Sequence, residues 1–99
     1  MPYRFRNARK RARHFSDHCT DFGATTEAEY EQMADGFLNC PLPPDCEERV
    51  RPRDGATIRF NRITEEFGIL SADGYLRTYY IPDPAIHGEA TNYDYYLNQ

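Results

Sequence analysis

The chain has no tryptophan, one lysine, three histidines and three cysteines in 99 residues. Each scarcity excludes something. Three cysteines (Cys19, Cys40, Cys46) are an odd number and too few for a disulfide scaffold. Cys40 and Cys46 bracket a proline-rich turn and could pair, but they match no zinc spacing. No apolar run approaches the length of a membrane span and no signal-peptide pattern opens the sequence. Passage across a membrane is therefore expected to be carried by something else. A phosphate loop, a dinucleotide fingerprint and a nucleophile elbow are all missing. The carboxylates are scattered or paired as helices and strand edges normally show, which argues against a metal nuclease.

What is there begins with aromatic rings. Eight tyrosines and six phenylalanines can fill one core at 39% apolar content, so residues 1–99 read as a single domain. The net charge of −4 conceals an asymmetry. Residues 1–13 hold Arg4, Arg6, Arg9, Lys10, Arg11 and Arg13 and no acid, hence +6. The other six bases and all sixteen acids follow, hence −10. A basic segment on an acidic body fits either an anionic partner met by one face or a solvated helix surface. Eleven of the twelve bases are arginine, whose forked donors suit phosphate better than lysine does.

The spacing predicts a first helix from Tyr3 to Phe22, with Phe5, Ala8, Ala12, Phe15, Cys19 and Phe22 on one stripe and Gly23 as its C-cap. A second helix opens on the capping box of Thr26 and Glu29. It places Tyr30, Met33, Ala34, Phe37 and Leu38 on one face and ends near Asn39, because CPLPPDC cannot continue it. Then the period changes to two. ERVRPR is a short, proline-interrupted edge strand. Ala56 to Arg62 alternates, with Ile58 and Phe60 on one face and Thr57, Arg59 and Asn61 on the other. Glu65 to Ser71 follows, then the turn Asp73-Gly74, then Tyr75 to Ile81. On that last strand Thr78 and Tyr80 should share a face with Leu76. The expected fold is α+β, with two N-terminal helices on one face of a mostly antiparallel sheet of three or four strands. The tail from Pro82 to Gln99 reads as a loop docked by Tyr93, Tyr95, Tyr96 and Leu97.

On the first helix His14 and His18 lie one residue before the core positions Phe15 and Cys19, about 100° round the axis. Their row continues back through Arg11, Asn7 and Arg4. Two histidines bordering the core, in line with arginines, suit an anion site better than a metal pair, since no convincing third ligand is present. Thr78 and Tyr80 hydroxyls could hold a phosphate, although both residues are also ordinary strand formers. His87 sits in PDPAIHGEATN, a loop rich in turn residues. Histidine, arginine, threonine and tyrosine together are the inventory of metal-free phosphodiester chemistry. One histidine would take the proton of a ribose 2′-hydroxyl, a second would protonate the leaving oxygen, and arginine would stabilise the charge between them.

The segments HFSDHCTDFGATTEAEYEQMADGFL and RDGATIRFNRITEEFGILSADGYLRTYYIPDPAIHG resemble the C-terminal ribonuclease domains of bacterial polymorphic and contact-dependent inhibition toxins. These belong to the barnase/EndoU/colicin/RelE-like group of small α+β nucleases. The resemblance runs from His14 to the C-terminus and places the group's recurring polar positions on His14, His18, Arg59, Thr78, Tyr80 and His87. It implies RNA cleavage without a metal or other cofactor, often of transfer RNA, and neutralisation by a cognate immunity protein. It also implies a domain delivered as part of a larger toxin, acting in the target-cell cytoplasm, with no membrane insertion of its own and expected to be a monomer. The RNA backbone would meet Arg4, Arg9, Arg11, Arg62 and Arg77. Two features depart from the pattern: the body is acidic, and Cys19 stands where a small residue such as glycine is expected. The competing expectations are a non-catalytic module that grips nucleic acid or an acidic partner through the basic first helix, and an interaction protein using its tyrosine-rich tail.

Overall fold

The computed structural model describes residues 2–99. It is an α+β fold in which a five-stranded sheet lies between two helical layers. The chain opens with strand β1 (Arg4–Phe5), followed by helix α1 (Ala8–Phe22) and helix α2 (Glu27–Asn39). The meander β2 (Cys46–Val50), β3 (Thr57–Asn61), β4 (Phe67–Leu70) and β5 (Tyr75–Tyr80) comes next, and helices α3 (Pro84–His87) and α4 (Asn92–Leu97) end it. Among the described residues no helix is long and apolar enough to cross a membrane.

Helix α2 follows its sequence signals closely. The Thr26 hydroxyl accepts from the Glu29 amide, the Glu29 carboxylate accepts from the Thr25 amide, and Tyr30, Ala34 and Leu38 are buried. Helix α1 starts later than its spacing predicts. Asn7 caps it by accepting from the Lys10 amide, and the residues before the cap are extended, not helical. Arg4 and Phe5 pair in parallel with Tyr75 and Leu76. The Tyr3 and Phe5 amides find carboxylate acceptors on α2, Asp35 and Glu31, at 2.7 and 3.0 Å. The three-residue step from Phe5 to Ala8 imitates a helical stripe, but Phe5 is buried as a strand residue.

The sheet order is β1-β5-β4-β3-β2, antiparallel except for the short β1–β5 pair, with β2 at the expected edge. Helices α1 and α2 cover one face over Phe5, Tyr30, Ala34, Leu38, Leu76 and Tyr79. The other face, carrying Ile58, Phe60, Phe67 and Ile69, is covered by Tyr96. The tail is thus more ordered than a docked loop. Asp83 and Thr91 cap its two short helices, and Tyr96 stacks on Phe60 at 5.5 Å. Arg49 ties the tail down by donating to the carbonyls of Tyr96, Leu97 and Gln99.

One irregularity matters for the site. Ile69 pairs with Thr78 but Leu70 pairs with Leu76, so Arg77 is an extra residue bulged out of β5. The bulge overturns strict alternation: Leu76 joins Tyr79 on the helical face instead of sharing a face with Thr78 and Tyr80. Because β1 covers only the first two residues of β5, the rest of that strand lies open beside α1.

Candidate functional site

Helix α1 and strand β5 run side by side, and two cavities lie along the seam. The first, about 390 Å³, is lined by Arg6, Lys10 and His14 from the start of the chain and by Ser71, Tyr75 and Arg77 opposite. The second, about 460 Å³, is lined by Asp17, His18 and Asp21 on α1 and by Tyr80, Asp83, His87 and Tyr95. His14 and His18, one turn apart with ring centroids at 6.0 Å, stand at the junction. The groove is therefore bipolar, basic at one end and acidic at the other.

Around that junction the rings form a continuous chain. His14 stacks on Phe5 at 5.2 Å, and His18 stacks on Tyr80 at 4.7 Å. The Tyr80 and Tyr95 hydroxyls bond to each other at 2.5 Å, and His87 stacks on Tyr95 at 4.4 Å. Burial pushes the Tyr80 phenol above its ordinary range, reinforced by the Tyr95 bond, so it stays protonated.

The three histidines differ in what their nitrogens do. His87 is locked: its Nδ1 accepts from the Glu89 amide at 3.0 Å and its Nε2 faces Asn92 Oδ1 at 2.9 Å. Buried Asn92 in turn donates to Glu65, a non-glycine residue at φ 66°. His18 Nδ1 lies 4.0 Å from Asp21 Oδ2, which also accepts from the Ile81 amide. Burial lowers the His18 pKa below 6.5, opposed by Asp21 and Asp17. Burial also lowers His14, helped by the charge of His18 and nearby bases. Its Nδ1 is buried without a hydrogen-bond partner among the described residues. Both rings thus give up a proton more readily than a free imidazole does.

The groove gathers His14, His18, Tyr80, His87 and Arg77 from the residues singled out by sequence. It leaves others outside. Arg59 is 4% exposed and points under α2, donating to the carbonyls of Phe37 and Cys40 and to Glu48, all near 3 Å. It closes the C-terminal end of a helix. Thr78 faces the opposite layer beside Ile69 and lines neither cavity. Arg4 lies on β1, outside the helical row, and Arg9 is exposed on α1. Arg11 is turned to Glu27 and Glu31 of α2, and Arg62 to Glu47 and the Pro44 carbonyl.

Sequence reasoning missed Arg6 and Lys10 as groove residues. The signal was present: counting back from His18 in strict fours gives His14, Lys10 and Arg6, whereas the row first traced stepped to Arg11. It also missed that an aspartate stands three residues after each histidine (Asp17, Asp21), of which the described residues bring only Asp21 within ion-pair distance of its histidine, His18. Asn92 and Tyr95 carried no local signal, since their role depends on how the tail folds back. All three cysteines are free thiols. Among the described residues no three His, Cys, Asp or Glu side chains group as a metal ion would require. No family model matches this chain, and no curated protein matches it significantly.

Proposed function

We propose that this chain is a metal-independent endoribonuclease, the toxin domain of a larger delivered protein, acting on RNA in the target-cell cytoplasm. The observation that carries the reading is the His14–His18 pair, with ring centroids 6.0 Å apart and both pKa values lowered chiefly by burial, set between a basic cavity and an aromatic one. His18, backed by Asp21, removes the proton of a ribose 2′-hydroxyl. The 2′-oxygen attacks the adjacent phosphorus and the 5′-oxygen departs with a proton from the imidazolium form of His14, which burial first, then His18, Arg13 and Lys10, make a strong acid against the pull of Asp17. The products are a 2′,3′-cyclic phosphate and a 5′-hydroxyl. Arg6, Lys10 and Arg77 balance the negative charge on phosphorus. His87, with both nitrogens engaged, acts as a wall of the site instead of a proton carrier. Transfer RNA is the expected substrate class, and a cognate immunity protein the expected inhibitor.

Incubation with total bacterial RNA in EDTA tests this directly. Cleavage is expected, with cyclic phosphate ends, and should fall by roughly 10²–10⁴-fold in His18→Ala and in His14→Ala. Intact RNA of every class after incubation with the unmodified protein would sink the reading. The basic cavity also supports a second reading, a non-catalytic anion-binding module. That reading expects salt-sensitive RNA binding that survives both histidine replacements and fails in Lys10→Ala.

A further inference from the structure

The acidic cavity is an unexpected neighbour for a phosphate-handling site. No lysine or arginine lines it, and Asp17, Asp21 and Asp83 surround it, so a phosphate would be repelled there. Its wall is nevertheless shaped for something flat, since the stacked pairs His18–Tyr80 and His87–Tyr95 are joined edge to edge by the tyrosine hydroxyls. The cavity pairs aromatic surface with hydrogen-bond acceptors. Asp21 and Asp83 each use one oxygen on a backbone amide, of Ile81 and Ala85 respectively, and keep the other free. The Asp17 carboxylate makes no hydrogen bond at all among the described residues.

From this complementarity we infer that the cavity is a nucleobase pocket that selects bases by their N–H donors and rejects uracil. The inference rests on the ribonuclease reading only in taking RNA as the ligand. A base stacks against the aromatic wall with its phosphate in the basic cavity, and its hydrogen-bonding edge meets carboxylates. Guanine presents N1–H and its amino group side by side, a fork that one carboxylate can accept. Adenine and cytosine each present one amino group beside an acceptor nitrogen. Uracil presents a single N–H flanked by two carbonyl oxygens, which face the carboxylates acceptor to acceptor. The order of binding is guanine, then adenine and cytosine, then uracil.

The test titrates the whole chain with the four nucleoside 3′-monophosphates, followed by calorimetry or amide chemical shifts. The guanine nucleotide should bind at least about tenfold tighter than the uracil nucleotide. Asp17→Asn sits on the helix surface and replaces an acceptor with a side chain that also donates. It should weaken the guanine nucleotide and strengthen the uracil one, narrowing the ratio by about tenfold. Equal affinities, or a preference for uracil, overturn the inference. So does displacement by methylguanidinium with no ranking among bases, which would assign the cavity to a cationic side chain of a protein partner. Failure is separable from that of the enzyme reading. Base ranking without RNA cleavage keeps the pocket and removes the enzyme, and cleavage without base ranking does the reverse.

Discussion

Arg59 and Arg77 both belong to strands of one sheet, and they do opposite things. Arg59 is 4% exposed, and its terminal nitrogens meet two carbonyls at the end of α2 and the Glu48 carboxylate. Arg77 stands in a bulge, exposed at the rim of the groove, with one ion pair to Asp54 at 3.2 Å. The buried arginine is held out of a substrate's reach: even its unpaired Nε–H is enclosed by the fold, and the residue is an anchor. The exposed one is weakly committed and can exchange its partner for a phosphate. An arginine's worth to function here is set by how little the fold demands of it.

The sharpest break in that comparison is Arg59→Ala. It leaves Glu48 without its partner and two helix-end carbonyls unmet, and should lower the free energy of unfolding by about 3–5 kcal/mol in urea titration. Arg77→Ala should change stability by less than about 1 kcal/mol. If the two stability losses come out alike, the division between anchor and groove is wrong. On RNA the roles reverse: Arg77→Ala, still folded, should slow cleavage by about tenfold through weaker phosphate contact. Within the groove, Tyr95→Phe removes the bond to Tyr80 and should cost about 1 kcal/mol by thermal melting, since only one neutral pair is lost.

The smallest effect is a slope in pH. His14 and His18 have lowered pKa values when folded, so below pH 6.5 the unfolded chain binds more protons than the folded one. Their contribution is complete above 6.5 and is lost as pH falls through the folded values. Stability should therefore decline on acidification from 6.5, less steeply in His18→Gln. Because acid and base both titrate below 6.5, the cleavage optimum should lie there as well. An optimum at pH 8 would exclude these two histidines as the acid–base pair.

What could be read in advance follows from the range of the interactions involved. Helix α2 was legible to the residue because its caps, stripe and stop signal are all local. The beginning of α1 was not, because Phe5 answers to β5 on the far side of the sequence and to carboxylates on α2. Alternation placed Arg59 on the correct strand face, but only the packed structure shows that α2 covers it. The histidine pair was visible as a spacing. The sign change across it was not, because the basic and acidic walls are completed by residues of β5 and the tail.

The parallel pairing of β1 with β5 also sets an order of assembly. Phe5 and Tyr75 are far apart in sequence, and closing so long a loop is entropically costly until the meander between them has formed. The basic cavity takes Arg6 and Lys10 from one side of that closure and Ser71, Tyr75 and Arg77 from the other. Until β1 docks on β5, the two walls of the basic cavity stand apart.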